Sequence, residues 1–101
     1  MSMITDMNPD FLYAACALTG GLHAWLDTAD GLAAARARPD VRLLETMLAD
    51  GGLEPVPARP VDPDHAVRAA GVLRERALAA GDLPALRFAD TALNHLTVVN
   101  A

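Results

Sequence analysis

Residues 63–98 read PDHAVRAAGVLRERALAAGDLPALRFADTALNHLTV, and this stretch alone sets the fold class. Pro63 suits a first helical position, where its missing N–H costs nothing, and Asp62 before it is a good N-cap. Val67, Ala70, Leu73 and Ala77 then recur at helical spacing. Gly81 stops that run and Asp82 can cap the next, which carries Leu86, Ala89, Leu93 and Leu96 along one side. A two-residue Gly-Asp turn between two amphipathic runs predicts an antiparallel helical hairpin.

The same punctuation recurs upstream. Pro-Asp occurs at 9–10, 39–40 and 63–64, each marking a helix start with an acid placed to complement the helix dipole. Asn8 precedes the first pair as a cap; Arg38 before the second is a poor one. From Pro9 the stripe Phe11, Ala15, Leu18, Leu22 and Trp25 steps by four and three, and runs through Gly20-Gly21 without losing phase. The two glycines read either as a smooth packing patch or as a helix break. Asp30 can cap a segment that ends before Pro39, with a second segment from Pro39 to about Asp50 marked by Leu44, Met47 and Leu48. Gly51, Gly52, Pro55, Pro57 and Pro60 make residues 51–62 an extended connector, long for a link inside a compact domain.

The expectation is therefore an all-α fold. It is a small bundle of about four main helices near 9–27, 31–50 (interrupted at Pro39), 63–80 and 82–98. One domain spans 1–101, with 1–7 a flexible tail. The turn at 81–82 resembles the inner turn of a tetratricopeptide repeat through Leu73, Gly81, Asp82 and Leu83. It departs from that pattern at Arg74, Leu86 and Asp90, and no second copy follows at a repeat spacing, so the stretch reads as one hairpin.

The apolar fraction of 52% argues against disorder, but much of it is alanine, which buries little area per residue. Aromatics are limited to Phe11, Tyr13, Trp25 and Phe88. A core so light in apolar mass favours association, with a second copy or with a larger protein. The positive sign is the uncharged run from Phe11 to Leu26, which wants an apolar neighbour. Phe11, Ala15, Leu18, Leu22 and Trp25 are its interface candidates. At 16 residues it falls short of the roughly 18 to 20 needed for a membrane span.

Charge narrows the classes further. The net charge is −5, every positive side chain is arginine, and residues 1–35 hold Asp6, Asp10, Asp27 and Asp30 with no arginine. An acidic chain without a basic stripe is a poor fit to nucleic acid or to an anionic membrane surface. Arg68, Arg74, Arg76 and Arg87 form the densest positive group. A single cysteine, Cys16, and no recognisable signal peptide point to a reducing, cytoplasmic setting.

No ordered set of catalytic residue types stands out. Ser2 is the only serine; His95 has Asp90 five residues back, off the i,i+4 spacing; a calcium loop counted from Asp27 puts Arg38 where an acid is required. No metal site and no cofactor are expected. The leading function class is a non-enzymatic protein-interaction module such as an adaptor, assembly factor or accessory subunit. The second is an acidic inhibitor, antitoxin or immunity-type protein that covers a basic site with Asp6, Asp10, Asp27 and Asp30. The third is a ligand-binding or enzymatic protein with a pocket near Cys16, His23 and Trp25.

Overall fold

The computed structural model describes residues 3–100. A 3₁₀ turn, Met3–Asp6, leads into α1 (Pro9–Thr28), α2 (Leu32–Asp50), α3 (Pro63–Ala80) and α4 (Leu83–Asn100), with no strand among the described residues. The caps explain most of the boundaries. Asn8 Oδ1 accepts from the Asp10 N–H at 2.9 Å, and Asp62 Oδ1 from the His65 N–H at 2.8 Å, each satisfying an orphan donor of a first turn.

The hairpin turn is built as its sequence suggests. Gly81 sits in the left-handed region at φ 68°, which lets its own N–H reach Leu78 O and the Asp82 N–H reach Ala77 O. Asp82 then uses both carboxylate oxygens. Oδ1 accepts from the Ala85 N–H and caps α4, while Oδ2 accepts from the Asn8 N–H, each at 3.0 Å. One side chain thus caps α4 and ties the start of α1 to the hairpin.

α3 and α4 pack most closely. Ala66, Ala70 and Ala77 face Ala85, Ala89 and Ala92, all essentially buried, and small side chains let the helix axes approach. Phe88, fully buried, is the largest side chain of this core, and Leu73 and Leu96 are buried with it. α2 packs Ala37, Val41, Leu44 and Leu48 toward α4 and α1, and α1 adds Ala15, Leu18 and Leu22. The radius of gyration, 12.5 Å, is near the roughly 13 Å of a compact 100-residue domain, so one chain closes its own core.

The backbone differs from the sequence expectation at α2 and at the N-terminal segment. Pro39 does not interrupt α2, which runs unbroken from Leu32 to Asp50. The missing N–H and the ring clash cost about 3 kcal/mol, but five fully or nearly fully buried side chains, Ala34, Ala37, Val41, Leu44 and Leu48, hold both halves of the helix to the same core. α2 also starts from Gly31, with no side-chain cap, rather than from Asp30. Finally, residues 3–7 of the expected tail are not loose: Ile4 and Met7 are buried, and Ile4 packs on Gly51 at the end of α2. Two apolar side chains in five residues were enough to dock the segment; residues 1 and 2 lie outside the described part.

The Gly20-Gly21 pair is a packing patch. α1 is continuous through it, and the connector 51–62 crosses it as a strap. The Val56 N–H donates to Cys16 O at 3.0 Å and the Val61 N–H to Gly21 O at 3.4 Å. A Cβ on Gly20 would stand 1.7 Å from Val56 O, so only glycine admits the strap.

Gly20→Ala should therefore destabilise the fold by about 1–3 kcal/mol, the range for overpacking a close contact. Gly71→Ala, where an added Cβ meets nothing within 4 Å, should stabilise it by about 0.5–1 kcal/mol. Denaturant titration of the two variants checks the opposite signs. Asp82→Ala, which removes a cap and a tertiary tie together, should cost about 1–2 kcal/mol in the same measurement.

Candidate functional site

Two surface features stand out, one on each flank of α1. The first is a groove of about 540 Å³ between the strap and the second half of α1. Its walls are Gly20, His23, Ala24 and Asp27 of α1, Glu45 of α2, and residues 54–58 of the strap. Helical spacing puts Gly20, His23, Ala24 and Asp27 on one face. The prolines of the strap hold Glu54 opposite them, in an extended chain that cannot fold back.

His23 is the hub of this groove. Nδ1 lies 2.9 Å from Glu45 Oε1, and Nε2 lies 4.0 Å from Asp27 Oδ2. The hydrogen bond and the charge of Glu45 hold the imidazole above its ordinary titration range; desolvation opposes this, and Asp27 adds to it. On the far side of His23, Arg38 and Arg42 line a smaller recess with Leu26, Asp27 and Glu45.

The second feature is an apolar groove between α1 and α3. It consists of two adjoining hollows of about 270 and 250 Å³ that share Ala14, Ala69 and Leu73. Ala14, Ala17, Ala66 and Ala69 make it shallow; Phe11 and Val72 rise at one end and Val61 at the other. Asp10 and Arg76 stand at the first end and His65 at the second.

The residues singled out from sequence fall differently. Of the interface stripe, Ala15, Leu18 and Leu22 are buried in this chain's own core, while Phe11 and Trp25 are half-buried. The strap and the hairpin supply, within one chain, the apolar neighbour that the stripe calls for. Of the stripe, Phe11 and Leu18 still border open space, in the α1–α3 groove. Cys16, His23 and Trp25 do not converge on one pocket. His23 lines the strap groove. Cys16 is buried where the strap hydrogen-bonds to its carbonyl, and burial pushes its thiol above the ordinary range.

The acids also regroup. Asp10 and Asp27 are 17 positions apart on one helix, about 26 Å along its axis, so Asp6, Asp10, Asp27 and Asp30 make no single patch. Asp27 instead joins Glu45 and Glu54, which spacing along the chain could not pair with it. The arginine group is partly engaged: Arg74 Nε lies 2.6 Å from Asp90 Oδ1 across the hairpin.

His95 pairs not with Asp90 but with Asp40 of α2, Nδ1 to Oδ1 at 3.0 Å. The other carboxylate oxygen of Asp40 is buried and takes no hydrogen bond. That pair, 55 residues apart in the chain, was beyond any local reading.

Among the described residues no three His, Cys, Asp or Glu side chains are grouped to hold a metal ion, and no helix is long and apolar enough to cross a membrane. The chain matches no protein-family model, no curated protein and no solved structure.

With its thiol buried and biased to the neutral form, Cys16 should react with an exposed-thiol reagent only as fast as the fold opens. Labelling in native buffer should be slow, and brought to the rate of a free thiol by denaturant. Fast native labelling would mean that the strap leaves α1.

Proposed function

We propose that the protein is a non-enzymatic interaction module that receives an apolar helix, from a second copy or a larger protein, in the groove between α1 and α3. The observation that carries this reading is the set of small side chains Ala14, Ala17 and Ala69, partly or fully exposed, that line the groove between α1 and α3. Small residues facing outward between two helices leave a trough whose width suits the ridge of a third. Half-exposed Val72 and partly covered Phe11 at its edge give an incoming helix apolar surface to bury. The role expected of α1 is kept, but it moves from the stripe through Leu22 to the edge through Phe11, Ala14 and Ala17.

A second reading rests on the strap groove. Asp27, Glu45 and Glu54 around it are an acidic surface of the kind that covers a basic site on another protein. The two readings differ in salt response: burial of apolar surface is insensitive to moderate salt, whereas steering by exposed carboxylates weakens sharply.

Ala69 is exposed, so Ala69→Arg fills the α1–α3 groove without touching the core. In light scattering behind size exclusion, over about a hundredfold dilution, an assembly of the native chain should lose mass in this variant while the monomer keeps its melting temperature. A monomeric native chain would direct the same variant to capture of a foreign partner. Retention of assembly and capture by Ala69→Arg would refute the groove, and loss of association with salt alone would favour the acidic face.

A further inference from the structure

The two nitrogens of His23 each face a carboxylate, Glu45 on one side and Asp27 on the other. Nδ1 is within hydrogen-bond reach of Glu45 at 2.9 Å, whereas Nε2 stands 4.0 Å from Asp27, too far for a hydrogen bond, so Asp27 acts through its charge alone. A neutral ring can still donate Nδ1–H to Glu45, but only the imidazolium is drawn by both negative charges. The arrangement therefore favours the charged ring.

We propose that His23 is a proton-operated tie across the mouth of the strap groove. Charged, it bridges Glu45 of α2 and Asp27 of α1; neutral, it withdraws the positive charge that stands between these two and Glu54 of the strap.

The groups that face His23 are Asp27 from its own helix, Glu45, Arg38 and Arg42 from α2, and Glu54 from the strap. The two arginines oppose protonation and the three acids favour it, with Glu45 nearest. The upward displacement of the imidazole's titration comes from the hydrogen bond to Glu45 and its charge, opposed by desolvation, with a smaller contribution from Asp27. His23 is about half exposed, at 54%, so protons reach it freely and the fold itself does not hang on it. Leu22, Val41 and Leu44, fully buried beneath, hold α1 and α2 in every charge state. What changes is the rim: the gap between α1, α2 and the strap narrows when the tie is charged and relaxes when it is not.

The sign follows from linkage. A His raised in the folded state contributes stability that is complete below its ordinary value of 6.5 and is lost as pH climbs through the raised, folded value.

An imidazole NMR titration from about pH 5.5 to about pH 8.5 tests this. His23 should titrate above 6.5, the Glu45→Gln variant should bring it down, and the Val56 amide of the strap should shift with the same midpoint. In urea unfolding over that range, the native chain should lose stability as pH rises, and His23→Gln should lose less. His65 and His95 are unaltered in that variant, so the difference isolates His23. A His23 midpoint at or below 6.5 in the native chain overturns the proposal without requiring that any variant fold. So does an identical pH slope in the native chain and in His23→Gln, or a Val56 amide indifferent to the titration.

Discussion

The contact on which the rest of the structure depends is the approach of the strap backbone to Gly20 and Gly21. α1 presents an uncharged face too apolar for water, and the chain covers it with its own connector. Two glycines in a helix cost roughly 1 kcal/mol each relative to alanine. Against that stand two main-chain hydrogen bonds, Val56 to Cys16 and Val61 to Gly21, worth about 0.5–1.5 kcal/mol each. Burial of Val56 and Val61 against α1 adds to them. The prolines strengthen the bargain from the unfolded side, because a segment already extended loses less freedom on docking. A connector of this length, which would be a loose loop elsewhere, becomes a structural element and the wall of a groove.

Alanine has the complementary effect. Inside the hairpin it permits close approach, and Phe88, with Leu73 and Leu96, supplies the bulk that the alanines lack. On the outer edges of α1 and α3 the same residue leaves a hollow, since nothing there plays the part of Phe88. The surface most suited to a partner is thus a consequence of the composition that makes the core possible. A larger residue at Ala14 or Ala69 would close the trough and leave the interior unchanged.

The parts of the fold legible in the sequence are those set by neighbours in the chain. Asn8-Pro9, Asp62-Pro63 and Gly81-Asp82 act within one turn of themselves, and the structure places helix ends at each. The Gly20-Gly21 pair read equally as a packing patch or as a helix break, and the Gly/Pro connector only as an extended segment; their meeting is a tertiary fact that neither carries alone. Pro39 misled because its local cost is real and is outweighed by burial of Ala37, Val41, Leu44 and Leu48, which depends on helices elsewhere. In the hairpin, Ala70, Leu73, Ala77, Ala89 and Leu96 of the expected faces are buried, while on α4 Phe88 takes the centre and Leu86 and Leu93 are only partly buried, because a wide apolar face has several equally good axes until a neighbour chooses one. The acids of the strap groove were invisible for the same reason, with Asp27, Glu45 and Glu54 drawn from three different elements.

α2 shows how these levels combine. It is the helix with the weakest local specification: no side-chain cap at its start and a proline within it. It is also the helix tied to both neighbours by a histidine and a carboxylate, to α1 through Glu45 and His23 and to α4 through Asp40 and His95. The exposed His23–Glu45 pair contributes little to stability, about 0–1 kcal/mol in the general run, and the His95–Asp40 pair is the more covered of the two, so the buried aliphatic side chains do most to hold the helix. The pairs restrict how it is held. A cylinder packed through Val41, Leu44 and Leu48 can still slide or roll by a fraction of a turn, and directional bonds on opposite flanks oppose both motions. That places Glu45 at a fixed height against the strap, and so sets the width of the groove that His23 guards.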